Sequence, residues 1–195
     1  MLHLKSPERV LAVSGADKAL EFIKRHLDST LYQPVDTAKS GNEARRTLIS
    51  QDYDLVVINA PLPDEFGHEL AIKVAETPTK GVILFVPAEH YFEITDRVEA
   101  YGIATLAKPS SSQLFYQALR LMTALNNRMA AIRQENTKLQ TKMNEVRIIN
   151  RAKCCLIEYL QMTEPQAHRY IEKQAMDLRQ TKREIAESIL KTYEP

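Results

Sequence analysis

Between Pro109 and Pro165 the chain has no proline, and beyond Gly102 it has no glycine. Proline removes a backbone donor and glycine loosens a helix, so a long stretch without either can run as uninterrupted helix. All five glycines, at 15, 41, 67, 81 and 102, fall in the front part. The chain therefore reads as a turn-rich front followed by a helical back, and its 195 residues suit one domain plus a smaller module. Charge follows the same division. Residues 1–118 carry 12 Lys/Arg and 16 Asp/Glu, whereas residues 119–195 carry 14 and 9. A basic back half suits a polyanionic partner.

The front alternates short apolar runs with helical spacing. Strands are expected at Val10–Val13, 31–37, Leu55–Ile58, Val82–Val86 and Ile103–Leu106. Helices are expected at Asp17–Leu27, Gly41–Ile49, 67–76 and 91–100. Five strands alternating with helices mean βαβ units, and unbroken apolar runs mean strands buried on both faces. The fold class is α/β: a five-stranded, parallel, doubly wound sheet. No run approaches the ~18 apolar residues of a membrane span. The start, MLHLKSPER, lacks the apolar core of a signal peptide. Cys154 and Cys155 are adjacent and far from any metal-ligand spacing, so they read as small apolar helix residues in a reducing cytoplasm.

In the back, heptads place Phe115, Met122, Met129, Asn136, Met143 and Asn150 at a positions. Ala118, Leu125, Ile132, Leu139 and Val146 fall at d positions. This 3–4 spacing predicts a coiled coil, with Asn136 as the buried polar residue that favours a parallel dimer. Met122, Leu125, Met129, Ile132, Asn136, Leu139, Met143 and Val146 are the expected dimer contacts. The flanking pairs Arg128–Arg133 and Lys142–Arg147 would repel across such a dimer, limiting its strength. The alternative is a long helix packed on its own front domain.

Two capping boxes, Thr163-Glu-Pro-Gln166 and Thr181-Lys-Arg-Glu184, predict helices over 164–178 and 182–193. The first shows Ala167, Tyr170, Ile171, Ala175 and Leu178 on one face; the second shows Ile185, Ala186, Ile189, Leu190 and Tyr193. Helices this short need partners. They are expected to pack on each other and on the end of the long helix at Leu156, Ile157 and Leu160, giving a three-helix all-α module. The chain thus divides into 1–118, a coiled-coil linker over 119–150, and 151–195.

In an open parallel sheet, function sits at the carboxyl ends of the strands. Those ends carry Ser14-Gly15, Asn59, Val86-Pro87 and Lys108-Pro109. Pro63 lies four residues beyond Asn59 and Gly67 eight beyond. With Lys108-Pro109 and the helix start Ser40-Gly41-Asn42-Glu43-Ala44, this pattern over about 1–120 resembles the receiver domain of response regulators. The resemblance implies a phosphoryl-acceptor site built from two acids that help hold Mg²⁺, an Asp nucleophile, a Thr or Ser, and a Lys. Here the acidic pair is Ser14-Gly15, the nucleophile is Asn59, the hydroxyl is Val86, and only Lys108 remains. An amide is not a phosphoryl nucleophile, and without carboxylates nothing strong binds the metal. The front is therefore expected to be a pseudo-receiver with no catalysis, metal or cofactor. Lys108 is expected either to meet the Asn59 amide oxygen or to point to solvent. Asp17 and Asp64 read as ordinary surface or helix-start acids.

The tail carries Ala152-Lys153, Leu156, Thr163-Glu164, Ala167, Gln174-Ala175-Met176-Asp177, Ile185-Ala186 and Ile189 in one ungapped register. It resembles the ANTAR domain, the RNA-binding module of transcription antitermination regulators of the AmiR and NasR type. Two residues depart from that pattern, Cys154 and Gln161, each where glycine is usual. The resemblance implies binding to paired hairpins in leader RNA, which keeps a terminator from forming. Lys153, Arg179, Lys182 and Arg183 are the expected phosphate contacts, Gln174 a base-edge contact, and Ala152, Ala175 and Met176 a close apolar floor. For Ala152, Ala175 and Met176, core packing is the competing expectation. The expected partners are leader RNA, a second copy of the chain and a regulatory sensor protein, with no membrane. Other readings are a DNA-binding response regulator, a non-catalytic interaction scaffold and an active phosphoacceptor. The first needs a helix-turn-helix, and the last is opposed by the missing acids.

Overall fold

The computed structural model describes residues 7–77 and 80–193. Most of the amino-terminal stretch read for a targeting signal lies outside them. Among the described residues no helix is long and apolar enough to cross a membrane. The chain divides into two compact units, Met1–Ala131 and Ile132–Pro195.

The front unit is built on β1 (Glu8–Val13), β2 (Tyr32–Ala38), β3 (Leu55–Asn59), β4 (Gly81–Pro87) and β5 (Ala104–Lys108), joined by α1 (Asp17–His26), α2 (Gly41–Ser50), α3 (His68–Ala75) and α4 (Tyr91–Val98). All strand pairs are parallel, in the order β2-β1-β3-β4-β5. The unbroken apolar runs have the expected cause. Leu11, Val13, Val56, Ile58, Leu84 and Val86 point to the side where α2, α3 and α4 supply Ala44, Leu70 and Ile94. Val10, Ala12, Leu55, Val57, Ile83 and Phe85 face the opposite core, with Leu20 and Ile23 of α1. Both faces are covered, so neither could be polar. The strand order reverses at β1, between β2 and β3, which brings Ser14 and Asn59 together at the carboxyl edge.

A single helix, α5, runs Ser112–Leu160. Its first turns complete the front core. Phe115, Ala118, Leu119 and Met122 pack in the same cluster as Leu20 and Ile23. Thr123 and Asn126 add polar stitches at the lower edge of the sheet. The Thr123 hydroxyl lies 3.0 Å from that of Tyr32 and donates to Glu8 Oε2 at 3.1 Å. The Asn126 amide donates to the Asp54 carbonyl at 3.1 Å. A Cβ at Gly81 would lie 2.6 Å from Asn126 Nδ2, so the start of β4 makes room for this contact. This corrects the heptad reading at its front end. Met122, expected at a dimer seam, is only 6% exposed and belongs to the front core. The cause is that sheet packing and coiled-coil packing both require apolar residues at 3–4 spacing. From Leu125 onward the stripe is open: Leu125, Met129, Ile132, Leu139, Met143 and Val146 are 44–72% exposed, and Asn136 is exposed with them.

In the rear unit the last turns of α5 meet α6 (Glu164–Leu178) and α7 (Lys182–Tyr193). The core is Ala152, Cys155, Leu156, Ala167, Ile171, Ala175, Ile185, Ala186 and Ile189. Cys155 sits inside it and Cys154 outside. Ile157, Leu160 and Leu178, expected to pack here, are instead exposed. The buried phase of α5 runs through Ala152, Cys155 and Leu156, which turns Ile157 and Leu160 outward. Both helix starts use their expected caps. Thr163 N–H donates to Gln166 Oε1 at 2.8 Å, and Thr181 N–H donates to Glu184 Oε2 at 2.7 Å while Glu184 N–H returns to the Thr181 hydroxyl at 3.2 Å. Gln161 ends α5 at φ 53°, a left-handed position that favours glycine.

Candidate functional sites

The front site lies at the carboxyl edge of β1, β3 and β5. Asn59 is half-buried, and its amide donates to the Ser14 hydroxyl at 3.0 Å. Ser14 has no exposed surface, and its oxygen also accepts the backbone N–H of Ala16 at 3.1 Å. Lys108 extends from the end of β5 and donates to the carbonyl of Ala60. It therefore neither meets the Asn59 side chain nor points simply to solvent, correcting both expectations. Burial holds its ammonium below the ordinary lysine pKa, with Glu89 pulling weakly the other way. Val86 is fully buried in the core behind α3 and α4. A neutral hydrogen-bonded pair and one lysine thus occupy this edge. Among the described residues no three His, Cys, Asp or Glu side chains gather where they could hold a metal ion.

The loop after β3 closes over this edge. A Cβ on Gly15 would lie 2.6 Å from Pro63 Cγ, and a proline ring has little freedom to move aside. The loop is held by α2: the Asp64 carboxylate accepts the N–H groups of Gly41 and Asn42 at 2.8 and 2.9 Å. Glu65 pairs with Arg45 at 2.6 Å. These N–H bonds at a helix start keep the Asp64 carboxyl below its usual pKa. Asp64 is a helix-start acid, although of the preceding helix. Asp17 stands in the first turn of α1 and pairs with Lys39 at 2.9 Å.

In the tail, the structure separates the expected RNA contacts into three groups. Ala152 has no exposed surface and Ala175 is 8% exposed; both are core residues, which corrects their expected place on a binding surface. Small residues at these positions let α5 and α6 approach closely. Lys153, Lys182 and Arg183 reach the surface but are each paired, with Glu164 at 2.7 Å, Glu172 at 2.5 Å and Glu187 at 2.7 Å. The pairing holds the Glu164 and Glu172 carboxyls below their usual pKa. Met176 and Arg179 are exposed, and Gln174 is half-buried. Arg179 makes no ion pair among the described residues.

Arg179 sits at φ 54°, just past the end of α6. Gln180 N–H returns to the Ala175 carbonyl at 3.0 Å and Arg179 N–H to that of Met176 at 3.3 Å. This is a Schellman turn with arginine where glycine is favoured. Two further cations, Arg169 and Lys173, are exposed on α6 and likewise make no ion pair among the described residues. Sequence reading passed over them because only family-matched positions drew attention; their i, i+4 spacing was the available signal. It also passed over a groove of about 240 Å³ between α6 and α7, lined by Tyr170, Gln174, Gln180, Ser188, Thr192 and Tyr193. Gln174 thus lies beside flat aromatic surface, and Tyr193 stacks on Tyr159 with ring centroids 5.1 Å apart.

The two parts of the chain resemble different known proteins. Residues 137–190 match the ANTAR domain. Over 190 residues the chain is 28% identical to the transcriptional regulatory protein PdtaR of Mycobacterium tuberculosis, covering 95% of this chain and 91% of that one. It is also 28% identical over 88 residues to the sensory transduction protein LytR of Staphylococcus saprophyticus, covering 45% of this chain and 34% of that one. The front shares its fold with the signal receiver domain of an HD domain-containing protein from Pseudomonas fluorescens Pf-5 (TM-score 0.57, 21% identity, 69% of this chain and 97% of that one). The chemotaxis response regulator CheY4 of Vibrio cholerae is similar in the same way (TM-score 0.52, 21% identity, 60% and 98%). The chain thus carries an ANTAR domain at 137–190, after an amino-terminal receiver fold.

Proposed function

We propose that this chain is a cytoplasmic, RNA-binding transcription antitermination regulator whose receiver fold has given up phosphoryl transfer. The observation that carries the reading is the ANTAR match at 137–190, together with the open cations of α6. Arg169, Lys173 and Arg179 meet phosphates first, because among the described residues they have no ion-pair partner to give up. Lys153, Lys182 and Arg183 follow by exchanging exposed carboxylates for phosphates, a substitution with a small penalty at the surface. The groove beside Gln174 takes an unstacked loop base, with Tyr170 as its flat wall and the Gln174 amide on a base edge. Arginine in a left-handed turn supports the same reading, since strained positions persist where the side chain is needed.

Residues 1–118 with the first turns of α5 act as the pseudo-receiver, the open part of α5 that follows as the linker, and 151–195 with the preceding end of α5 as the RNA-reading module. The open stripe from Leu125 to Val146 joins two copies, and each dimer presents its two modules to two hairpins of one leader RNA. Avidity then exceeds either contact alone. A sensor protein sets how much of the dimer is available.

Gel-shift titration of the full chain tests the RNA reading. A two-hairpin leader binds in a salt-dependent manner, and Arg179→Ala weakens it by about tenfold, as expected for one lost charge-assisted contact. Equal affinity for a loop-scrambled RNA overturns it. A small phosphodonor with Mg²⁺ leaves the front unlabelled; a stable aspartyl-phosphate there overturns the pseudo-receiver.

A further inference from the structure

The front unit holds a cavity that phosphoryl chemistry would not explain. It measures about 190 Å³ and is lined by Ala19, Phe22 and Ile23 of α1, Asn59 of β3, Phe85 of β4, and Lys108, Pro109 and Ser110 after β5. Its walls are largely apolar. Phe22 and Phe85 belong to an aromatic cluster with Phe115, with centroid separations of 6.4 Å for Phe22–Phe85, 5.8 Å for Phe22–Phe115 and 5.1 Å for Phe85–Phe115. Two residues with donor groups, Lys108 and Ser110, line the same space. Lys108 is its only charged residue, and a single backbone carbonyl leaves ammonium hydrogens for another acceptor. The Ser110 hydroxyl oxygen is shielded from solvent and has no hydrogen-bond partner among the described residues. A shielded hydroxyl without a partner is uncommon in folded proteins and asks for one.

We propose that this cavity binds a small monocarboxylate with an apolar or aromatic body. The chemistry selects that class over its neighbours. An uncharged hydrocarbon leaves the Ser110 hydroxyl and the under-compensated Lys108 ammonium without acceptors, at the usual penalty for buried polar groups. A phosphate dianion brings more charge than one lysine balances, no carboxylate lines the cavity to hold a metal beside it, and the phenyl walls offer it nothing. A monocarboxylate supplies one oxygen for each donor, and its body covers Phe22, Ile23 and Phe85. Size sets the limit. An apolar cavity of roughly 150 Å³ accepts benzene, so one slightly larger accepts a ring with a carboxylate. The cavity lies entirely within the front unit, and the inference stands whether or not the tail binds RNA.

Benzoate is the probe. Titrated into the full chain and followed by ¹H–¹⁵N NMR, it gives saturable one-to-one binding with a Kd on the order of 0.1–1 mM, the range for a ligand of so few atoms. The Asn59 side-chain amide and the backbone amides of Phe22 and Ser110 shift together. Lys108→Met weakens binding at least tenfold, Ser110→Ala about threefold, and neutral benzamide binds at least about tenfold more weakly than benzoate. Ala19→Leu, at a lining position, fills cavity space without touching a charge and abolishes binding, while Lys73→Met, on α3, changes nothing. The NMR spectrum of each variant reports its folding before titration, and the benzamide comparison reads out on the unaltered chain. Equal shifts with benzamide, stronger binding of inorganic phosphate, or benzoate binding unaffected by Ala19→Leu would each overturn the proposal.

Discussion

Two stretches of α5 with the same apolar spacing have different fates. Within Phe115–Met122 the stripe formed by Phe115, Ala118, Leu119 and Met122 packs beneath the sheet and is nearly inaccessible. From Leu125 to Val146 the same period leaves large side chains 44–72% exposed. Spacing alone therefore identifies a helix with a face to bury, but not what will cover it. What separates the stretches is polar rather than apolar. Thr123 and Asn126 bind the lower edge of the sheet through Glu8, Tyr32 and the Asp54 carbonyl.

The contrast can be broken residue by residue. Phe115→Ala removes a fully buried ring from the packed stretch and costs about 3–5 kcal/mol by denaturant titration of the front unfolding transition. A loss under about 1 kcal/mol would mean that this stretch is not part of the front core. Asn126→Ala probes the boundary and costs about 1 kcal/mol, the net worth of one hydrogen bond. The loss stays near this figure because the Asp54 carbonyl keeps the Gly81 N–H at 2.8 Å and is not orphaned. Gln161→Gly, where α5 ends, stabilises the rear unit by about 0.5–1 kcal/mol. Relief of a left-handed side chain outweighs the extra entropy of glycine in the unfolded chain, and a higher thermal midpoint checks it. Leu139→Lys, in the open stretch, changes monomer stability least, within about 0.5 kcal/mol. It nevertheless raises the dissociation constant for self-association at least about tenfold in sedimentation equilibrium. Unchanged association with Leu139→Lys would remove the open stretch as a dimer seam.

The strands were legible because burial on both faces makes them continuous apolar runs, and α6 and α7 because their caps are local chemistry. Distant packing was not legible. Ala152 and Ala175 suit a close helix crossing as well as a contact surface, and only the observed burial separates the two. The pairing of Lys153 with Glu164 and of Lys182 with Glu172 depends on how α5, α6 and α7 fold together, so cations that read as free were already engaged. At the front, the missing acids were visible one position at a time. The Ser14–Asn59 hydrogen bond and the loop over Gly15 needed the β1–β3 pairing.

The contact between Gly15 and Pro63 also limits what single substitutions can do at this edge. Any side chain placed at position 15 collides with the Pro63 ring, which is held in a loop that Asp64 and Glu65 tie to α2. Exchanging Asn59 for aspartate would place one carboxylate at an edge where a second, at position 15, has no room. Assembling a pair of acids here therefore requires rebuilding the loop as well as exchanging residues.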